Sequence, residues 1–241
     1  EFPELEVLTF SEVQVSDIST GTTKSEETIR KIIDEKKLKN IICDQTMTNI
    51  AEQTDDFVEY VRAIKDPYEI ECIKTAETIT VKASEKIKDI IEEGKSELQI
   101  ANELEYTLKK LGAPFTYFDP IIASGRHAAN GHHQPSEKKI EKGDVVVCDF
   151  GAFYEGYGAD ITRTYFVGNI SESIIRAYQA VCESVQAGID CVRKGVQYSR
   201  IDEACTNILK NYGLEKFRWV SGSGHGMGMA VHERPRIEPY S

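Results

Sequence analysis

The alternation of apolar and polar positions divides the chain into helix-like and strand-like stretches. Residues 5–10 alternate as a strand does, 25–38 read as a helix and 40–43 as a short strand, so residues 1–63 predict a small α/β piece. The stretch 61–67 reads as a junction, because Asp66 can accept the first backbone N–H groups of a helix and Pro67 suits its first turn. A long helix is expected over 67–93. A second, over 96–111, stops at Gly112, and 115–124 is aromatic and branched enough to predict a strand.

Farther on, 145–148 is a run of branched apolar residues and 162–167 alternates, with Tyr154-Glu155-Gly156-Tyr157-Gly158 between them as turn material. This predicts a β-hairpin. The same order of elements then recurs: a helix over 172–192, a helix over 199–212 ending at Gly213, and a short strand over 217–220. Gly94, Ile100, Leu108, Lys109 and Gly112 recur 101 positions later as Gly195, Ile201, Leu209, Lys210 and Gly213. The glycine-rich segments correspond as well: Ser124-Gly125 leads to His132-His133-Gln134-Pro135, and Ser221-Gly222 leads to His232-Glu233-Arg234-Pro235. Two related halves account for this pattern. The first half continues into the hairpin bearing Asp149 and Asp160, whereas a counterpart in the second half is expected at roughly 249 to 260 by the same shift. The expectation is therefore that one hairpin is missing. Because Glu1 stands in place of an initiator Met, the chain is also expected to be a piece of a longer gene product.

Composition narrows the partners. A length of 241 residues leaves ample chain for a sizeable core. A net charge of -11, with acidic residues spread along the chain, argues against a nucleic-acid backbone or an anionic membrane surface. No apolar run approaches the roughly 20 residues a bilayer requires, and the N-terminus has neither a basic start nor a hydrophobic signal core. A soluble, cytoplasmic protein is expected. The six cysteines (Cys43, Cys72, Cys148, Cys182, Cys191, Cys205) form no CxxC pair and read as small, reduced core residues.

The candidate chemistry starts at Asp149 and Asp160. If the turn centres on Tyr154 and Glu155, the two face each other directly across the hairpin, with Cβ atoms about 5 Å apart. Carboxylates that close repel unless a proton or a cation lies between them. Two solvated turn aspartates would explain the spacing equally well if it stood alone. It does not, because all five histidines (His127, His132, His133, His225, His232) fall in the two glycine-rich segments. Gly224-His225-Gly226-Met227-Gly228 lets backbone approach a ligand closely, and imidazole with carboxylate suits manganese, cobalt, zinc or iron.

These segments resemble the pita-bread metallopeptidases, and within them the Xaa-Pro peptidases, prolidase and aminopeptidase P. The resemblance runs from about Arg62 to Pro235. It rests on Ser124-Gly125 with His132-His133-Gln134-Pro135, on Asp149-Phe150-Gly151-Ala152 with Gly156-Tyr157-Gly158-Ala159-Asp160-Ile161-Thr162-Arg163-Thr164, and on Gly224-His225-Gly226-Met227-Gly228 with His232-Glu233-Arg234-Pro235. It implies an α+β pita-bread fold of two pseudo-symmetric halves. Residues 1–63 would be part of a small N-terminal α/β domain, and 64–241 a catalytic domain lacking its last hairpin. By the same resemblance Asp149 binds one metal, Asp160 bridges two, and His225 binds the second. His132 and His232 are the substrate-side catalytic histidines, assisting the tetrahedral intermediate and proton transfer. The implied reaction is attack of a metal-bridging hydroxide on the bond between an N-terminal residue and proline. With it come two divalent ions (manganese or cobalt, with zinc or iron as alternatives), a proline-containing peptide or dipeptide substrate, and a homodimer, but neither nucleic acid nor membrane.

The sequence departs from the family pattern in one respect. The family completes its site with two glutamates, one of them the general base, on strands expected after Ser241. Glu233 belongs to the His-Glu-x-Pro motif, where the family does not use it as a ligand, and Glu238 precedes the expected strand. With three ligands and no base, this chain by itself is expected to be inactive. Methionine aminopeptidase shares the ligand scheme but usually lacks an N-terminal domain and the Asp-Phe-Gly-Ala phrasing. A non-catalytic pita-bread binding module, as in some histone chaperones, typically loses the ligands that this chain keeps.

Overall fold

The computed structural model describes residues 24–37, 57–218 and 222–240, and the chain divides into two compact units, Glu1–Val61 and Arg62–Ser241. In the first unit the expected helix forms as α1, Lys24–Lys36, while the strands expected at 5–10 and 40–43 lie outside the described residues. A helix that the pattern did not reveal, α2 (Phe57–Ala63), leads into the junction.

Helix α3 (Pro67–Ile90) starts where Asp66 and Pro67 place it. The Asp66 carboxylate accepts from Glu69 N at 2.9 Å, and the Glu69 carboxylate accepts from Asp66 N at 2.7 Å, a reciprocal capping box. Helix α4 (Glu97–Lys110) opens on the same device, built from Ser96 and Gln99. One stripe of each helix is buried: Ala76, Ile79, Ala83 and Ile87 on α3, Ile100, Leu104 and Leu108 on α4.

These stripes pack on an antiparallel sheet ordered β2-β3-β6, from Ile121–Ser124, Val145–Phe150 and Ile161–Phe166. Burial alternates along β3. Val146, Cys148 and Phe150 face the core, so Asp149 faces away from it. The strand expected over 115–124 is broken into β1 (Phe115–Thr116) and β2, which belong to different sheets. Pro120 lies between them; it has no N–H to donate and a fixed φ, which opposes a continuous ladder.

The hairpin is present but turns one residue later than expected. Strands β4 (Ala152–Tyr154) and β5 (Tyr157–Gly158) close on Glu155-Gly156, both with positive φ (48° and 89°), as a type I′ turn requires. In this register Asp149 pairs with Thr162, so the directly opposed pair of aspartates does not form. Asp160 lies just before β6, beyond a break in the hairpin at Gly151. A Cβ on Gly151 would lie 1.6 Å from Ala159 O, so only glycine fits there.

In the second half, α5 (Glu172–Cys191) and α6 (Tyr198–Asn211) pack against each other. Phe217 ends a 3-10 turn in place of the strand expected at 217–220, and 219–221 lie outside the described residues. Two short strands that the pattern did not reveal, β7 (Gly224–Gly226) and β8 (Glu233–Ile237), pair antiparallel with an irregularity between His225 and Gly226. Between α5, α6 and this ribbon runs an apolar groove of about 640 Å³, lined by Val181, Val185, Ile189, Ile201, Leu209 and Phe217 among others.

The cysteines at 72, 148, 182, 191 and 205 are free, but only Cys72 and Cys148 are buried. Cys182 is exposed, contrary to the core role expected of it, because it lies on the outer face of α5. Among the described residues no helix is long and apolar enough to cross a membrane.

Candidate metal centre

Asp149, Asp160 and His225 come together from three elements. The outward face of β3 supplies Asp149, the residue ahead of β6 supplies Asp160, and β7 supplies His225, whose Nε2 lies 3.6 Å from Asp160 Oδ2. The other imidazole nitrogen, Nδ1, lies 3.0 Å from Gly226 O. Since a carbonyl only accepts, Nδ1 donates there, and Nε2 is the nitrogen that faces Asp160. Glycine after His225 is a steric requirement: a Cβ on Gly226 would lie 2.2 Å from Arg234 O.

Burial pushes the Asp149 carboxyl up to about 6, and the neighbouring Asp160 charge adds to the effect. Thr162 Oγ1, donating to Asp149 Oδ1 at 2.9 Å, opposes it only in part. Asp149, raised by burial and by the neighbouring Asp160 carboxylate, with an imidazole beside the pair, belongs to a donor set that a divalent cation would relieve. The residues present therefore fit a metal.

His132 and His232 line one cleft with His225. It has a volume of about 470 Å³, and Arg236 and Glu238 also contribute to its wall. The His225 and His232 rings meet edge to face, with centroids 4.3 Å apart. Burial, then the charges of His225, Arg236 and His132, hold His232 below the ordinary imidazole range.

Glu233, excluded as a ligand from its motif, has a structural role. It is 6 % exposed, and its carboxylate accepts from Lys65 Nζ and Ala230 N, each at 2.9 Å, and from Arg62. Burial alone would raise its pKa, but these donors outweigh burial and lower it. The junction residues Arg62 and Lys65 thus reach the second glycine-histidine segment, which their position in the sequence did not reveal. Gly228, in the same segment, accepts through its carbonyl from Tyr117 Oη and Gly158 N, each at 3.0 Å, and so docks onto the first half.

Sequence reasoning named His127 and His133 among the histidines of the first segment but missed Glu97, which joins them in a group whose donor atoms lie within 4.8 Å of one another. Such a group can hold a metal. Here, however, the fully buried Glu97 carboxylate already accepts from Ser124, Ser136 and both imidazoles, so a cation would have to displace hydrogen bonds. The signal was available as a glutamate at the first position of a helix following a serine cap.

Similarity to known proteins agrees with this geometry. Residues 71–241 match the model of metallopeptidase family M24. An Xaa-Pro dipeptidase of Pyrococcus furiosus is 39 % identical over 186 residues, covering 77 % of this chain and 53 % of the relative. Among solved structures, an Xaa-Pro dipeptidase from Bacillus anthracis superposes with a TM-score of 0.80 at 32 % identity, covering 89 % of this chain and 64 % of that one. An X-Pro aminopeptidase from Thermotoga maritima gives 0.74 at 32 % identity, covering 91 % and 66 %. The chain spans about half the length of the curated relatives it matches. With the matching model covering well over half of its residues and its α+β halves superposing on prolidase structures, the chain belongs to metallopeptidase family M24.

Proposed function

We propose that this chain is the metal-binding core of an exopeptidase that cleaves between an N-terminal residue and proline. Asp149, Asp160 and His225 would supply three ligands for two divalent ions, manganese or cobalt by the ligand chemistry. The observation that carries the reading is the Asp149–Asp160 pair, whose carboxylates lie beside His225 Nε2, 3.6 Å from Asp160 Oδ2. When bound, the ions would supply Lewis acidity and a more acidic water.

The chain's own residues would do the rest. His132 and His232, from the two glycine-rich segments, line the cleft where a substrate carbonyl would approach. His232, held below the ordinary imidazole range by burial and by neighbouring positive groups, favours its neutral form and can accept or share a proton. Proline-containing dipeptides or peptides are the proposed substrates, by analogy with the Xaa-Pro dipeptidase and X-Pro aminopeptidase relatives. We extend the reading to a homodimer in the cytoplasm, with residues 1–63 as an N-terminal domain and 64–241 as the catalytic one.

The test is metal content and hydrolysis of Xaa-Pro dipeptides, measured on the 241-residue chain and on any longer product of the same gene. Expected are manganese binding by both, lost in Asp160→Asn, and turnover by the longer product. A longer product that binds no metal and hydrolyses no proline dipeptide would overturn the reading and favour a binding module.

A further inference from the structure

The first glycine-histidine segment is bolted to the core through one side chain. Glu97 Oε1 accepts from Ser124 N at 2.8 Å and Ser124 Oγ at 2.7 Å, while Oε2 accepts from Ser136 N at 3.2 Å and Ser136 Oγ at 2.7 Å. Ser124 is where the segment leaves β2 and Ser136 is where it returns, so a single carboxylate ties both ends. Two bonds reach the interior of the segment: His133 Nε2 at 2.8 Å from Oε2 and His127 Nδ1 at 3.0 Å from Oε1, with the two rings 4.3 Å apart. Glu97 is itself fixed, as the first residue of α4, whose Ile100, Leu104 and Leu108 are fully buried in the core. The free N–H groups at the start of that helix also hold the segment, since Leu98 N donates to Ser136 O at 3.0 Å and Glu97 N donates to Lys138 O at 3.1 Å.

His132 immediately precedes His133. A local turn fixes their relation: His132 N donates to Asn130 Oδ1 and His133 N donates to Asn130 O, both at 3.2 Å. His133 turns inward to Glu97, and His132 turns outward to the cleft.

We propose that Glu97 is the positioning residue that sets His132 in the cleft, holding the glycine-histidine segment as an ordered arch through Ser124, His127, His133 and Ser136. Where His132 acts on substrate, the proposal rests on the function proposed above; the arch itself does not depend on that function. A carboxylate with this many donors and no exposed surface has no low-energy alternative, so removing its charge releases both ends of the arch together.

Two measurements test it. In the 241-residue chain, Glu97→Gln is expected to raise backbone hydrogen exchange across 125–135 while leaving α3 and β3 protected. In any longer product of the gene that hydrolyses Xaa-Pro dipeptides, Glu97→Gln is expected to lower kcat by about 100-fold, the cost of misplacing a catalytic group by about 1 Å, with KM little changed. In a His132→Ala background the same substitution should cost nothing further, because Glu97 acts through His132. His133→Gln loosens one arm without touching the buried charge and covers the case in which Glu97→Gln does not fold; about a 10-fold loss, again absent in the His132→Ala background, is expected. Equal losses in both backgrounds, unchanged exchange over 125–135, or stoichiometric zinc binding lost on His127→Ala and His133→Ala would overturn the proposal. A His132→Ala variant with unaltered kcat would count against the catalytic reading of His132, and hydrogen exchange alone would then decide the arch.

Discussion

The two halves of Arg62–Ser241 carry one pattern in two states of completion. In the first, Leu108 has no exposed surface, because the stripe it belongs to packs against β2 and β3. In the second, its counterpart Leu209 lines an open apolar groove, with Val181, Val185 and Ile189 beside it. Helix caps follow the same division. Both α3 and α4 begin in reciprocal capping boxes, whereas Ser171 and Gln197, ahead of α5 and α6, make no side-chain cap bond. The amphipathic pattern is thus common to both halves, while closure of the core depends on a sheet lying over it. The first half has that sheet. What both halves share at the site is a buried glutamate that holds a glycine-histidine segment: Glu97 in one, Glu233 in the other.

The largest expected effect bears directly on this contrast. Leu108→Ala should destabilise the chain by about 3 kcal/mol, because it empties a closed core, while Leu209→Ala should cost about 1 kcal/mol or less. Urea unfolding of the two variants measures the difference; equal losses would mean that something covers the groove in solution.

A smaller effect concerns the candidate metal centre. Asp149, raised to about 6 in the folded chain from an ordinary 3.8, keeps its proton more tightly when folded than when unfolded. Its contribution therefore weakens as pH rises from about 4 to about 6, by on the order of 1–2 kcal/mol after screening, in the metal-free chain. Asp149→Asn should raise the metal-free Tm at pH 7 and abolish the stabilisation that added manganese gives the parent chain. Thermal melts at pH 4.5 and 7, with and without manganese, test both. Glu97 has the opposite sign. Burial would raise it, but hydrogen bonds from Ser136, His133 and Ser124 hold it at about 2, so its contribution is present above 4.5 and lost as pH falls toward 2.

The smallest effect should be equal in the two halves. Gly94 and Gly195 have φ of 89° and 85° with open space around a would-be Cβ. Alanine at either position should cost about 1 kcal/mol, from local backbone strain alone. Unequal losses would show that the halves also differ in local geometry at the start of their second helices.

Much of the site was legible before any coordinates, and the reasons differ by residue. Asp66 and Pro67 announced their helix because capping depends on neighbours within the first turn. The clustering of histidines in two matched glycine-rich segments pointed to the residues that meet in the cleft. The register of the hairpin was misread by one residue, because the positive φ at Glu155 that permits the I′ turn is not a preference glutamate announces. That shift is what separates Asp149 from a directly opposed Asp160. Strand β7 was hidden because glycine supplies no alternating pattern to read, and β8 because its five residues, Glu233 to Ile237, hold a proline and no apolar–polar alternation.

By itself, the sequence determined the longer helices, the strands on either side of the hairpin, the internal repeat and the kinds of ligand available, since each follows from local periodicity and short-range hydrogen bonding. Only the tertiary structure decided that Asp160 adjoins both Asp149 and His225, that Arg62 and Lys65 neutralise Glu233, and that Glu97 ties Ser124 to Ser136. These pairings join residues far apart in the chain, and they form because folding removes the carboxylates from water and leaves them to the donors that the fold brings within reach.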